Sequence, residues 1–253
     1  MIAHLHEVEP TKRIFDATKE LVKDVNLCVN GDGMSITAMD QAHVAILKVH
    51  IPSSQCVRYE CSAQFILGLK VDIVCKCMAS FDGKDALALC YDADTPDMLK
   101  LESRDASSTE FGRFNMKLMQ IDSDDYLIPD IDFDVTITLP FMKLKKVISD
   151  LIVLGDVLDV LINEDGVTFS VSNTENGDGG RTFSSSDKIT IVKKIDRLSQ
   201  SFSLPYLYKF VKTKLTEDNV TLGLKDQTPM MLEIPIERVA TMYFYLAPKM
   251  EEW

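Results

Sequence analysis

The stretch Thr95-Pro96-Asp97-Met98-Leu99 recurs further along the chain as Thr228-Pro229-Met230-Met231-Leu232, an offset of 133 residues. The same offset carries the dipeptide Asp32-Gly33 onto Asp165-Gly166. Asp-Gly between β-branched runs favours a tight hairpin, so both copies are predicted to contain one at the matching place. A chain of 253 residues that repeats in this way is expected to form two domains of ordinary size, each with its own core.

Short runs rich in β-branched residues alternate with segments of helical periodicity. The predicted helices are 11–24, 70–79, 140–149 and 205–214. The second of these is also compatible with a strand, because Val71 to Met78 is a short, mainly apolar run. Two helices and many strands in each half predict the α+β class, with two similar domains of antiparallel sheet that carry helices on one face. We place the domains at 1–118 and 135–253, joined by a connecting loop at 119–134.

The predicted helices are amphipathic. Along 11–24 and the residue after it, the apolar residues at helical spacing are Ile14, Phe15, Leu21, Val22 and Val25, and the opposite face carries Lys12, Asp16, Lys19 and Lys23. Apolar stripes also run through Phe141, Leu144, Val147, Ile148 and Leu151, and through Leu207, Phe210 and Val211. Lysines crowd the start of 140–149 against the helix dipole, which indicates that another requirement placed them there.

Positive charge is concentrated in the predicted helices, although the chain as a whole is acidic. A net charge of -12 argues against nucleic-acid binding, because Lys and Arg must neutralise phosphates. The four predicted helices nevertheless carry +1, +1, +3 and +3, which leaves -20 on the rest of the chain. The repeat also takes Lys12-Arg13 onto Lys145-Lys146 and Lys76 onto Lys209. Helices that share one surface would attract a polyanion there, through its backbone rather than its bases, while the acidic remainder repels it elsewhere.

The connecting loop is acidic and also apolar. Its aspartates are Asp122, Asp124, Asp125, Asp130, Asp132 and Asp134. They predict an exposed loop rather than a metal site, because the glycine and final glutamate of an EF-hand loop are missing. The loop also contains Tyr126, Leu127, Ile128 and Phe133, which an ordinary linker does not need. Docking of a peptide and simple packing on the sheet both explain this cluster.

Standard catalytic motifs are absent, so we expect no enzyme activity and no cofactor. The six cysteines lie in the first half without the paired spacing of a zinc site, which predicts buried, reduced thiols. No apolar run approaches the roughly 18 residues of a membrane span, and the first residues lack a secretory pattern. We therefore expect an intracellular protein.

Three stretches together resemble one family. They are Met39-Asp40-Gln41-Ala42-His43-Val44, Met116-Lys117-Leu118-Met119 leading to Ile128-Pro129, and Tyr245-Leu246-Ala247-Pro248-Lys249. They are similar to the eukaryotic-type sliding clamp, proliferating cell nuclear antigen, and the resemblance spans the whole chain. It implies a homotrimeric, head-to-tail ring around double-stranded DNA, located in the nucleus. It also implies a processivity factor without sequence preference, and docking of DNA polymerase, flap endonuclease, DNA ligase and the clamp loader through short motifs.

The resemblance also implies roles for individual residues. Those expected to face DNA are Lys12, Arg13, Lys19, Lys76, Lys143, Lys146, Lys209 and Lys212, with Lys145 and Lys214 as further candidates. The partner-peptide pocket would use Met39, His43, Val44, Ile46, Leu127, Ile128, Pro129, Phe133, Pro229, Tyr245, Leu246, Ala247 and Pro248. Contacts between subunits would use Arg113, Phe114 and Met116 of one copy with Arg181 and Thr182 of the next.

Some positions depart from the family pattern. Tyr126-Leu127 stands where leucine and glycine are usual, which would change the pocket rim, and Glu164 stands where many eukaryotic clamps have a modifiable lysine. Three other functions remain open from the sequence. They are a subunit of a heterotrimeric or checkpoint-type clamp, a metal-dependent nuclease that uses the acidic loop, and an acidic scaffold whose lysines are merely solvated.

Overall fold

The computed structural model describes residues 1–105, 107, 110–122, 128, 130–213 and 215–249, except for the side chain of Asn173. Its described residues divide into two compact units. The first contains residues of 1–41, 47–127 and 236–242, and the second contains those of 42–46, 128–235 and 243–253. In these parts of the chain, no helix is long and apolar enough to cross a membrane.

The order of elements repeats along the chain. The first series is β1 Ile2–Leu5, α1 Val8–Lys19, β2 Asp24–Asn30, β3 Gly33–Met39, β4 Ala45–Pro52, β5 Arg58–Glu60, β6 Phe65–Lys70, α2 Val71–Ala79, β7 Ala86–Tyr91, β8 Met98–Arg104 and β9 Phe111–Lys117. The second is β10 Val135–Pro140, α3 Phe141–Leu151, β11 Val157–Asn163, β12 Gly166–Thr174, β13 Gly177–Phe183, β14 Thr190–Lys193, β15 Leu198–Ser203, α4 Leu204–Lys212, β16 Asn219–Leu224, β17 Met230–Ile236 and β18 Ala240–Leu246. Both helices and most strands of the first series begin 133 residues before their counterparts in the second series, as the sequence repeat predicts.

The strand order repeats as well. Hydrogen-bonded neighbours in the first series follow the orders β5-β1-β7-β8-β9 and β4-β3-β2-β6. The second series follows the corresponding orders β14-β10-β16-β17-β18 and β13-β12-β11-β15. Strand β1 pairs antiparallel with β5 and β7, and β10 pairs antiparallel with β14 and β16. The predicted α+β class, with antiparallel sheets and two helices in each repeat, is confirmed.

The first helix differs from the prediction. Helix α1 covers 8–19 rather than 11–24, and after it the N–H groups of Leu21 and Val22 donate to the carbonyl of Thr18. The next residues join β2, where Val25 is paired with Leu69 of β6. Strand pairing therefore ends the helix, although the apolar spacing alone allows it to continue.

The other three helices lie close to their predicted positions. The run that begins at Val71 is a helix, so the strand alternative is wrong, and α2 packs against α1. Helix α3 begins at Phe141, one residue after Pro140, and α4 packs beside it. The predicted apolar stripes of α3 and α4 are buried. Each unit thus has a helix pair whose polar faces remain available.

The two Asp-Gly hairpins are present, but their tips lie one residue earlier than predicted. Asn30 pairs with Gly33 across the first hairpin, and Asn163 pairs with Gly166 across the second. The Asn30 side-chain oxygen accepts hydrogen bonds from the N–H groups of Asp32 at 2.9 Å and Gly33 at 3.2 Å. Each glycine is therefore the first residue of the returning strand, and a second piece of backbone approaches it closely.

The six cysteines all lie in the described residues and form no disulfide, but only Cys75 is buried, whereas the sequence predicted buried thiols throughout. Burial, with a smaller contribution from the nearby Asp16 carboxylate, raises the pKa of the Cys75 thiol to about 12. Because the thiolate is the reactive form, Cys75 is kept unreactive at neutral pH.

Candidate functional site

The predicted basic residues of the first unit lie on α1 and α2, and each pairs with a carboxylate. Lys12 lies 3.4 Å from Asp16, between charged side-chain atoms. Arg13 lies 3.0 Å from Glu9 and 2.8 Å from Glu237. On the neighbouring helix, Asp72 contacts Lys19 at 2.7 Å and Lys76 at 2.6 Å. The positive charge of this helix pair is therefore balanced locally.

The basic residues of the second unit lie on α3 and α4 in a different environment. The Lys143 ammonium lies 5.6 Å from the Phe183 ring centre, and the Lys209 ammonium lies 4.8 Å from that of Tyr206. Lys145 donates a hydrogen bond to the backbone carbonyl of Lys212. Lys146 pairs with Asp150 at 3.5 Å. Lys214, a further candidate, lies outside the described residues.

Sequence reasoning missed Asp72, the acidic partner of Lys19 and Lys76. The spacing of Asp72 and Lys76, four residues apart on one helix, could have predicted their ion pair. No sequence pattern connects Asp72 to Lys19, because that contact depends on how α1 and α2 pack. Asp150 was also missed, and it contacts Arg181 at 3.1 Å as well as Lys146.

The predicted subunit-contact residues lie on two edge strands. Arg113, Phe114 and Met116 belong to β9, the edge strand of the order β5-β1-β7-β8-β9. Arg181 and Thr182 belong to β13, the edge strand of the order β13-β12-β11-β15. Phe114 is 36% exposed and contacts the Phe81 ring, whereas Met116 is buried. Arg113 pairs with Glu102, and the Thr182 hydroxyl hydrogen-bonds that of Thr168. Among the described strands, none pairs with the outer side of β9 or of β13, so another strand could pair there.

The ends of the connecting loop are anchored separately. On the first unit, the Met119 N–H donates to the carbonyl of Gly68, and the Asn26 side chain donates to the carbonyl of Ile121. On the second unit, the Asp132 carboxylate pairs with Lys194, and this lowers the pKa of Asp132. Asp122, Asp130 and Asp132 are exposed, as predicted, whereas Asp134 is half-buried. The predicted loop residues Asp124, Asp125, Tyr126, Leu127 and Pro129 lie outside the described part of the chain.

Most of the predicted pocket residues lie in the second unit. They are His43, Val44, Ile46, Ile128, Phe133, Pro229, Tyr245, Leu246, Ala247 and Pro248. Met39 lies at the end of β3 in the first unit.

Three chain segments of the second unit come together around the end of β18. The Ala247 N–H donates to the carbonyl of Val44 at 2.9 Å, and Pro248 forms a bridge with Phe202. Burial raises the pKa of Tyr245, and the charge of Asp130 from the connecting loop adds to this shift. Val44, Ile46 and Tyr245 are half-buried, whereas Leu246 is turned into the core.

Phe133 lies over a glycine of the neighbouring strand. A methyl group added at Gly223 would lie 2.7 Å from the Phe133 ring, so the missing side chain creates the space for this ring. The backbone N–H of Asp134 donates to Leu224 on the same strand. The end of the connecting loop is thus held beside β16, with half-buried Ile128 preceding it.

Within the described residues, no cluster of three or more His, Cys, Asp or Glu side chains has a metal-binding arrangement. These residues nevertheless combine basic helix pairs, open strand edges and a partly apolar surface beside an acidic loop. Such features suit contacts with polyanions and other polypeptides.

Comparisons with known proteins agree with this arrangement. Residues 1–126 match the profile of the proliferating cell nuclear antigen N-terminal domain, and residues 127–249 match that of its C-terminal domain. The proliferating cell nuclear antigen of Chaetomium thermophilum is 28% identical over 253 residues, covering 98% of this chain and 97% of the relative. That of Dictyostelium discoideum is 27% identical, covering 98% and 99%, and that of Caenorhabditis elegans is 29% identical, covering 95% and 94%.

The resemblance predicted from three short stretches is therefore confirmed over nearly the whole length. The family consists of non-catalytic, ring-forming scaffolds that act on DNA and dock replication or repair proteins, and these relatives come from eukaryotes. The chain belongs to the proliferating cell nuclear antigen family, and it is a DNA sliding clamp and processivity factor.

Proposed function

We propose that three copies of this chain close head to tail into a ring around duplex DNA. The observation that carries the proposal is the pair of open strand edges, β9 in the first unit and β13 in the second. Both strands are seven residues long, so β9 of one copy can pair along its full length with β13 of the next. Contacts between two different surfaces produce a closed ring when the rotation between copies closes. Arg113, Phe114 and Met116 would then meet Arg181 and Thr182 of the neighbouring copy.

Within this ring, the helix pairs would face the DNA. The proposed contacts are Lys12, Arg13, Lys19, Lys76, Lys143, Lys146, Lys209 and Lys212, with Lys145 and Lys214 as further candidates. The rest of the chain is acidic, so DNA would be repelled from other surfaces. Lysine and arginine contacts with phosphates do not distinguish sequences, which suits a clamp that moves along DNA.

We also propose domain boundaries, location and partners for this chain. The domains are 1–118 and 135–253, with the connecting loop at 119–134 between them. The protein acts in the nucleus as a homotrimer, catalyses no reaction and needs no cofactor. DNA polymerase, flap endonuclease, DNA ligase and the clamp loader dock on it through short motifs with a glutamine, an aliphatic residue and paired aromatics.

Such motifs would bind beside the connecting loop. The pocket would use Met39, His43, Val44, Ile46, Leu127, Ile128, Pro129, Phe133, Pro229, Tyr245, Leu246, Ala247 and Pro248. Support comes from the second unit, where Val44, Tyr245 and the end of the loop are held around the end of β18. A partly apolar surface flanked by a loop suits a short peptide with apolar anchors.

Ile128→Ala is expected to weaken the binding of such a peptide about tenfold, because truncation of a central apolar anchor typically costs more than about 1 kcal/mol. Fluorescence anisotropy with a labelled peptide measures the change. Ile66→Ala is the matched control, since Ile66 is a 53% exposed isoleucine on β6, outside the proposed pocket. Equal affinities for the two variants would contradict the pocket assignment.

The ring is tested by solution mass and by retention on DNA. Light scattering is expected to give three times 28.4 kDa over a range of concentrations. Protein placed on nicked circular DNA by a clamp loader with ATP should stay bound during gel filtration and should leave when the circle is cut. A stable monomer that associates only with paralogues would instead favour a heterotrimeric clamp. Equal retention on circles and linear DNA would contradict encirclement.

A further inference from the structure

One carboxylate joins the two helices of the first unit. Asp72, in the first turn of α2, places one oxygen 2.7 Å from the Lys19 ammonium of α1 and the other 2.6 Å from the Lys76 ammonium. All three side chains remain accessible to solvent, with exposed fractions of 45%, 48% and 70%. Hydrogen bonds from Lys19 and Lys76 lower the pKa of Asp72 to about 2. The carboxylate is therefore charged at neutral pH.

In this bridge the Asp72 carboxylate takes the place between two lysines that a bound anion would take. Two ammonium groups from different helices converge on one group that carries two oxygens. A DNA phosphate also presents two charged oxygens, so it could take the same place. It would first have to displace Asp72, exchanging one ion pair for another, and the released carboxylate would repel it.

The remaining cations of α1 are balanced in a similar way. Lys12 contacts Asp16 on the same helix, and Arg13 contacts Glu9 and Glu237. The sequence of α1 contains three cations and two carboxylates, and that of α2 contains one of each. This helix pair therefore has a formal charge of only +1.

The second unit presents its cations differently. Lys143 and Lys209 lie over aromatic rings, and no carboxylate of the described residues lies within the 4.0 Å ion-pair distance of either ammonium. An aromatic ring attracts a cation without neutralising its charge. Helix α3 contains three lysines and one aspartate, and α4 contains two lysines and no acidic residue, so this pair has a formal charge of +4.

We propose that Asp72 competes within the protein with DNA phosphates for Lys19 and Lys76, so that Lys143 and Lys209 of the second unit carry most of the backbone contact. This inference rests on the proposed function, because it assumes that the four helices face DNA. It adds that the two units contribute unequally. Removal of the Asp72 carboxylate would make Lys19 and Lys76 available to a DNA phosphate in each copy.

The test measures binding of the full-length protein to a labelled linear 30-base-pair duplex across a range of salt concentrations. Asp72→Asn is expected to tighten binding about twofold to fivefold. This range matches the small stabilisation that exposed ion pairs usually provide. The slope of log affinity against log salt should also steepen by about 1 to 2, as expected for one or two added phosphate contacts. Asp196→Asn removes an equal charge from an exposed position with no ion pair among the described residues, and it should leave both quantities unchanged.

Single lysine variants then distinguish the two units. Lys143→Ala and Lys209→Ala should each weaken binding about threefold to tenfold and reduce the slope by about 1. Lys19→Ala should have a smaller effect than Lys143→Ala when Asp72 is present, and a comparable effect when combined with Asp72→Asn. Melting curves verify that each variant is folded.

Three results would overturn the proposal. The first is an Asp72→Asn protein with unchanged affinity and salt slope, and the second is a Lys19→Ala loss as large as that of Lys143→Ala in the presence of Asp72. In both cases the unmodified protein would still be retained on nicked circles, so the proposed function would stand. The third is an unmodified protein that neither binds the duplex nor stays on circles, which would overturn the proposed function together with this inference.

Discussion

Replacing Phe114 with aspartate is expected to reduce the solution mass from three times 28.4 kDa to 28.4 kDa and to abolish retention on nicked circular DNA. Phe114 lies on the open edge of β9, where 36% of it is exposed in the single chain. If β13 of another copy pairs there, the new carboxylate becomes buried, and Arg181 of that strand cannot compensate it freely because it is already paired with Asp150. That burial costs about 3 kcal/mol or more, which weakens each subunit contact at least about 150-fold.

Val192→Asp is the matched control for this variant. Val192 is a 53% exposed apolar residue on β14, which also ends a strand order but is not a predicted subunit contact. This variant should keep the trimeric mass and the retention on circles. Circular dichroism and melting curves would establish that both proteins are folded. A folded Phe114→Asp protein with the full trimeric mass would show that β9 is not a subunit contact.

Gly33→Ala is expected to lower the melting temperature by about 5–12 °C, which corresponds to a loss of about 2–4 kcal/mol in the free energy of unfolding. Gly33 has a φ of +146°, a region that favours glycine. An added Cβ would lie 2.2 Å from the carbonyl oxygen of Ile51 and 2.9 Å from the amide nitrogen of Ser53. Both neighbours are backbone atoms, and the Ser53 N–H is engaged with Asp32, so neither can move cheaply.

Gly31→Ala in the same hairpin provides the control. An added Cβ at Gly31 would meet no atom within 4 Å, so the melting temperature should change little. Gly166→Ala should resemble Gly33→Ala, because Gly166 has a φ of +137° and its Cβ would lie 2.0 Å from the carbonyl oxygen of Phe183. Similar melting temperatures for Gly31→Ala and Gly33→Ala, measured by calorimetry, would contradict the close approach.

The two sets of variants act on different properties of the clamp. The glycines of the hairpins determine whether a single chain is stable, since they allow two pieces of backbone to meet inside one unit. The edge of β9 determines whether folded chains assemble. One variant should no longer assemble but keep its melting temperature, and another should show a lower melting temperature before assembly is affected. These two results would separate the two requirements.

The sequence by itself determined the repeat, the fold class and the family. Local features decide these properties: the apolar spacing of α3 and α4, the two Asp-Gly hairpins and the family stretches can each be recognised from neighbouring residues. The repeat then predicted the matching order of helices and strands, because similar stretches in each half bury similar faces.

Contacts between residues distant in sequence were decided only by the tertiary structure. Helix α1 ends at Lys19 because Val25 pairs in a strand with Leu69, a partner that periodicity does not show. Glycine is needed at positions 33 and 166 because the backbones of Ile51 and Phe183 approach them closely, a contact that the turn sequences do not show. Lys19 meets Asp72 because α1 packs on α2. Only the folded chain therefore shows which lysines are paired with a carboxylate and which are not. Electrostatic interactions depend on distances in space, and the sequence specifies these only after the helices have packed.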